Sequence, residues 1–408
     1  MPEIGIVGAG ISGLHLTLRL QQLGVPTVLY AEHGPDEIAM SRPSNLVVRF
    51  GHTRERERLL GITHWDRPDL DVYGLNVAAE TTPPVGFFGK LSKPASGVDF
   101  RVYLPRLIHD YLDRGGEFEV TTPETTMIDR LAERHDLVVV ATKQRAFEKL
   151  FPKDTVRSPY SSPQRSLCGG LYHGIAPSDP SWVHFQMIPE VGEIFCTRLV
   201  SLDGPIHGMV IEAIPGRPLE PLSYLSYDEA PAEFNRTLLE LLAEHAPPLR
   251  ERIDAAEFGL ARPIDLLQGR ITPTVRGGWA QLSGDRYALA VGDAWVLNDP
   301  ISGQGANLGS LCAFALADLI SAGGPYDEEF CRRAEKELWR LAEPVVNWSN
   351  SALGPPPDNV LDIMRTATTD QRIADAFVNQ FDDPAAMWEV LRSADNTRTW
   401  LSQLWATA

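Results

Sequence analysis

The chain has 408 residues, with 37 Lys and Arg against 54 Asp and Glu, a formal net charge of −17 and 43% apolar residues. So acidic a protein is a poor partner for nucleic acid or an anionic membrane, no run approaches the apolar length of a membrane span, and no signal peptide precedes MPEIGIVGAG. A cytoplasmic protein of two or three domains is expected. Cys168, Cys196, Cys312 and Cys331 are scattered, with no C-x-x-C and no His at metal spacing, so they read as reduced and structural and no metal is expected.

The first element, PEIGIVG, is a short apolar strand that runs into Gly8, Gly10 and Gly13 at G-x-G-x-x-G spacing, with Ser12 inside the turn. A helix carrying Leu14, Leu16, Leu18 and Leu20 follows, then a second β-rich run, PTVLYAE, ending at Glu32. Strand, glycine turn, helix, strand and acid in that order make a dinucleotide-binding unit, in which the glycines admit a pyrophosphate and the carboxylate takes a ribose hydroxyl. HTRERERLL, 52 to 60, alternates in charge and reads as a solvated helix face. VYGLNVAAETTPPVGFFGKL reads as a hairpin, VDFRVYLPRLIHDYLDRGG as a helix ending at Gly115, and DLVVVAT, 136 to 142, as a buried parallel strand returning to the first sheet. From 163 to 271 strand alternation predominates, with one helix around AEFNRTLLELLAEH. YALAVGD then closes at Asp293, and GANLGSLCAFALADLISAGG is helical. Between them Pro300, Gly303 and Gly305 form a loop that lets a ligand approach the N-terminus of that helix. A plain strand-to-helix connection capped by Asp293 or Asp299 would look the same. The tail from 325 has Trp at helical spacing, including Trp339, Trp348, Trp388 and Trp400, broken at GPPPD, and reads as packed helices. His52, His64, His173 and His184 have no partner at ligand spacing, and no catalytic triad or metal motif stands out.

One ligand accounts for both glycine turns. A nicotinamide dinucleotide needs only the first, whereas FAD carries a ribityl chain whose hydroxyls suit a distant acid such as Asp293. The expected architecture is an α/β fold. A discontinuous Rossmann-like FAD domain (1–68, 97–162 and 272–322) holds an inserted β-rich substrate domain (69–96 and 163–271), and C-terminal helices (323–408) follow.

IGIVGAGISGLHL, RPSN at 42 to 45, DFRVYLP at 99 to 105, PQRSLCGGLYHGI at 163 to 175, AEFGLARPIDLLQG at 256 to 269 and GDAWVLNDPISGQGAN at 292 to 307 together resemble the oxygenase component of two-component styrene and indole monooxygenases, nearly end to end. The resemblance implies a fold of the para-hydroxybenzoate hydroxylase type and FAD that arrives as FADH2 from a separate NADH-dependent flavin reductase. It implies that FADH2 and O2 are used to transfer one oxygen atom to an electron-rich C=C bond of indole or a styrene-like aromatic alkene, giving the epoxide through a flavin C4a-hydroperoxide, with sulfoxidation as a side activity. The cofactor then carries the hard chemistry, and no general base is needed. By the same resemblance Arg42 lies on the pyrophosphate or flavin side, Asn45 by the oxidant and substrate, Pro300 over the ring, and Arg101, Gln304, Ala306 and Asn307 with the other cofactor residues. A turn-capping role for Asn45 stays open. Val47, Arg49, Val72, Leu75, Phe87, Phe88, Ala95, Phe185 and Met187 are the candidate substrate residues. The fingerprint is mixed: Asn45 and Val47 are styrene-type, Val72 and Ala95 indole-type, Arg49 replaces a histidine, and Lys143 stands where glycine is common. An Arg49 turned into the pocket would call for an anionic substrate; one facing solvent or cofactor leaves a neutral arene. A homodimer, a single-component NAD(P)H-dependent hydroxylase and a non-catalytic FAD-fold binding module remain open.

Overall fold

The computed structural model describes residues 2–124 and 126–406; Met1, Thr125, Thr407 and Ala408, which fall within the expected domain ranges, lie outside the described residues. Two sheets organise the chain. The first has six strands in the order Trp279–Gln281, Tyr287–Ala290, Leu137–Val140, Ile4–Val7, Thr27–Ala31 and Glu117–Val120. All pairs are parallel except the edge strand Trp279–Gln281. Its central strands, Ile4–Val7 and Leu137–Val140, are buried along their whole length, as a parallel sheet covered on both faces requires.

The second sheet is mixed. From one edge it runs Gly259–Leu260, Arg165–His173, Gly204–Ala213, Gly192–Ser201, Val183–Ile188, Asp71–Ala79, Val85–Gly97 and Val48–Arg49, with Leu266–Ile271 also pairing to Arg165–His173. Its neighbours are antiparallel, save Asp71–Ala79 beside Val183–Ile188. Val48–Arg49 pairs with Ser96 and Gly97, so part of the segment expected in the nucleotide domain belongs to this sheet instead. Helix Pro231–His245 buries Phe234, Leu238 and Leu242 against the far end of the sheet.

The tail is helical, as expected. Glu328–Ala352 is one long helix, and after the proline break Asp358–Thr369, Gln371–Asn379, Pro384–Leu391 and Ala394–Ala406 follow. Ile373, Phe377, Val378 and Met387 pack on Val72, Val77 and Phe87 of the sheet hairpin. No helix among the described residues is long and apolar enough to cross a membrane, and they contain no cluster of three or more His, Cys, Asp or Glu suited to a metal ion. All four cysteines are free and buried. For Cys168, Cys196 and Cys312 burial pushes the thiol up to about 12, the inert form.

One expectation holds on one side only. Helix Gly51–Leu59 exposes His52, Glu55 and Arg58 to solvent, but Thr53, Arg54 and Glu57 on its other side are buried. Arg54 pairs with Asp66 and Asp71, Glu57 with Arg49, and the Arg56 Nε donates to Ser310 Oγ at 2.8 Å. The charges on that side find partners on neighbouring elements rather than in water.

Candidate functional site

The first glycine turn is built as its spacing requires. Gly8 has φ +118°, and a Cβ on Gly13 would lie 1.9 Å from Gly8 O, whereas one on Gly10 would meet nothing within 4 Å. The Gly13 hydrogen therefore serves packing, and Gly10 leaves room for a ligand. Helix Ile11–Gln22 starts at Gly10 with no side-chain cap, so its first N–H groups and positive dipole end are free to meet an anion. Beside it a cleft of about 300 Å³ is lined by Gly8, Gly10, Glu32, Ser41 and Ser44 among others. Gln144 Nε2 donates to Glu32 Oε2 at 2.8 Å.

The second turn mirrors the first. Gly303 is left-handed at φ +66°, and helix Gly305–Ser321 begins at Gln304, again without a side-chain cap. A Cβ at Gly303 or Gly305 would meet no atom within 4 Å, and both glycines are exposed, with Ala306 half-buried behind them. Ser12 is wedged close to Gly309 and Gly292, which brings the starts of the two helices together. Asp293 has no hydrogen-bond partner among the described residues. The residue is exposed to solvent.

Several predicted contacts are differently employed. Arg101 is 3% exposed; it donates to Asp99, to Asp265 at 2.7 Å and to the Ser41 carbonyl, so its guanidinium is committed within the protein and is not free for a cofactor. Asn307 Oδ1 accepts from the Phe50 amide and Thr53 Oγ1, and its Nδ2 donates to the Val48 and Gly303 carbonyls. Its amide locks the second turn to the strand at Val48 instead of binding a ligand. Gln304 Nε2 donates to the Phe381 carbonyl at 2.9 Å, and its buried Oε1 has no partner. Arg42 is exposed and 3.5 Å from Asp228; Asn45 is half-buried and accepts from Ser44 Oγ.

Beyond Pro300 lies a cavity of about 100 Å³ whose walls include Leu46, Val47, Leu75, Phe195, Leu199, Val210, Pro300 and Ile301. Of the candidate substrate residues, Val47 and Leu75 line this cavity and Arg49 does not. Val48 lines the cavity, strand alternation turns the next residue to the other face, and there Arg49 is 1% exposed, paired with Glu57 at 2.6 Å and stacked over Tyr103 and Trp65. It faces neither the cavity at Pro300 nor solvent. Val72 and Ala95 are cross-strand partners with no exposure, Phe87 is closed against Phe377, and Phe88 packs on Trp182. Phe185 and Met187 line a neighbouring cavity together with Trp348 and Trp388.

Among these apolar walls stands Glu212. It belongs to a buried group of three carboxylates around one cation. Arg165 commits its Nε and one NH2 to Glu193 at 2.7 and 2.9 Å and its remaining donors to carbonyls. Glu212 and Asp299, each 1% exposed, face each other with an unpartnered oxygen apiece and no cation left between them. Burial, Asp299 and Glu193 hold the Glu212 carboxyl well above the usual range, so a proton rests on this pair. Asp299 Oδ1 meanwhile accepts from the Ile301 amide, fixing the turn that carries Pro300. The sequence signal for Glu212 is a lone acid inside the apolar run GMVIEAI; nothing in the string marks Asp299 as its partner.

Residues 144–252 match the family model for the styrene monooxygenase A substrate-binding domain. Styrene monooxygenase StyA of Pseudomonas fluorescens is 34% identical over 405 residues, covering 98% of both chains, and a StyA from Pseudomonas sp aligns equally well. In fold the chain is similar to the flavin-dependent brominase Bmp2, with a TM-score of 0.70 at 11% identity over 100% of both chains. It is also similar to PqsL of Pseudomonas aeruginosa solved with 2-aminobenzoylacetate, with a TM-score of 0.61 at 14% identity over 92% of this chain and 98% of that one.

Proposed function

The chain belongs to the styrene monooxygenase A family, flavin-dependent monooxygenases that use FAD, and from this premise we propose that it epoxidises a neutral aromatic alkene or indole with FADH2 supplied by a separate NADH-dependent reductase. The observation that carries the substrate class is Arg49. Because its charge is spent on Glu57 and two aromatic faces, the cavity at Pro300 offers no cation to an anionic substrate, and its walls suit an arene.

The residues present fit FAD. The open turn at Gly10, the cleft at Glu32, the unpartnered Asp293 and the exposed Gly303 and Gly305 would hold its adenosine, pyrophosphate and ribityl parts, with Pro300 beside the ring. In this reading 1–68, 97–162 and 272–322 carry the cofactor, and Leu46, Val47, Pro300 and Ile301 from them join 69–96 and 163–271 in walling the substrate cavity. Bound in its reduced form, FAD would supply the two electrons that activate O2, so that one oxygen atom of O2 goes to the substrate and the other leaves as water. The chain supplies the surroundings. Leu46, Val47, Leu75, Phe195 and Leu199 exclude water and hold the arene by apolar contact. The Glu212 and Asp299 pair keeps a proton in this wall and keeps the wall uncharged on the Glu212 side. Aryl sulfides, which are soft nucleophiles of similar shape, should be oxidised to sulfoxides.

The purified protein, given chemically reduced FAD and oxygenated buffer with styrene or indole, should form the epoxide or its indigo-yielding product without any nicotinamide. Oxidation of NADH or NADPH by the chain alone would instead place it with single-component hydroxylases. Release of all the oxygen as hydrogen peroxide, unchanged by either substrate, would leave a flavin-binding module.

A further inference from the structure

A second cavity, of about 300 Å³, separates the mixed sheet from the C-terminal helices. It is a funnel. Ser351, Gly354, Pro357 and Arg392 at one end are exposed, and Ile301, Met364, Phe381 and Met387 at the other are buried. Ile301 and Phe381 are also walls of the cavity at Pro300.

The strand register explains why the two cavities abut. Leu75 pairs with Val183 and Val77 with Phe185, and alternation puts all four on one face. The first pair lines the cavity at Pro300 and the second lines the funnel, one side-chain step of about 7 Å further along the strands. Between the sheet and the helices the funnel presents mostly apolar and aromatic surface. Its walls are suited to a neutral arene. Met187, Met364 and Met387 are adaptable, Trp348 and Trp388 are flat, and the charged groups are spent, Glu193 on Arg165 and Arg392 on Glu389. The inner wall is shared by the two cavities: the Phe381 carbonyl is held by Gln304 Nε2, the next residue, Asp382, accepts from the His52 amide, and the Phe381 ring, packed on Phe50, Trp348 and Phe377, stands as the partition between them.

We propose that this funnel is a second binding site, for a neutral aromatic molecule, from which the molecule passes Ile301 and Phe381 to reach the cavity at Pro300. The chemical class rests on the function proposed above. The probe is 4-bromostyrene, whose bromine quenches nearby tryptophan fluorescence, added to the full chain without flavin. Quenching should saturate, shrink in Trp388→Phe, persist when Val210→Phe fills the cavity at Pro300, and weaken by about five-fold or more when Val360→Phe fills the funnel. With reduced FAD supplied, Val360→Phe should raise the KM for styrene and leave kcat within about two-fold. Ala352→Leu, a smaller filling of the same funnel, should do the same in lesser degree and replaces Val360→Phe if that variant does not fold. Quenching abolished by Val210→Phe and untouched by either funnel variant would overturn the proposal, as would no quenching in a protein that still epoxidises styrene. No quenching together with no epoxidation would overturn the substrate class as well.

Discussion

Glu212 sits in a strand that the hydrophobic pattern makes look ordinary, yet it is among the most consequential side chains at the site. Three carboxylates and one guanidinium share a buried volume, and the guanidinium is bound to Glu193. The folded protein therefore favours the protonated form of Glu212. A carboxyl raised in this way contributes stability that is fully present below its unfolded value, about 4.3, and is lost as pH rises toward its folded value. Glu212→Gln removes that loss. Its urea midpoint should exceed that of the wild type at about pH 8, and the difference should shrink toward pH 5; a gap that widened on acidification would show that Glu212 is ionised in the fold. Arg49 makes the complementary point. Read along the string it is a lone cation in an apolar segment; in the fold it is neutralised by Glu57, eight residues on, and its choice of face follows from strand alternation.

Among the elements, the two glycine turns carry the clearest message, and each glycine has its own reason. Gly13 has no room for a methyl group because the Gly8 carbonyl is already against it, while Gly10 has room that the protein does not use. Gly13→Ala should lower stability by about 2–4 kcal/mol in urea unfolding. Gly10→Ala should leave that midpoint nearly unchanged and weaken FAD, titrated by flavin fluorescence, on the order of ten-fold or more, or about 1.4 kcal/mol and upward. Equal effects of the two on stability would contradict the assignment. The turn itself was legible in the sequence because its spacing follows from backbone geometry, which is local. The buried side of helix Gly51–Leu59 was not, because a charged helix looks solvated until the elements that bury it are in place. Asn307 lies in a legible motif, but three of its four hydrogen bonds reach atoms of Val48, Phe50 and Thr53 more than 250 residues away, so its role in locking the turn could not be read from neighbours.

Over the whole molecule, the two sheets are joined by Arg101, which links Asp99 and the Ser41 loop to Asp265 beyond the inserted strands. Arg101→Met would leave Asp99, which has almost no exposure, without its cation and Asp265 with Arg262 alone, and should cost about 3–5 kcal/mol in urea unfolding; a loss below about 1 kcal/mol would mean that solvent reaches the carboxylates. The C-terminal helices close the other side, completing a core with the hairpin Asp71–Ala79 and Val85–Gly97 and forming the funnel wall that holds Trp348 and Trp388. The sequence by itself determined the class of fold, the two glycine turns, FAD and the family, since each rests on local periodicity or on motifs whose spacing is set by the backbone. Only the tertiary structure decided which polar groups are spent on one another and which are left for ligands. Arg49, Arg101 and Asn307 are occupied, Asp293 is free, and Glu212 meets Asp299 across the floor of a cavity, because burial and charge pairing are settled by residues that come together only when the sheets and the C-terminal helices pack.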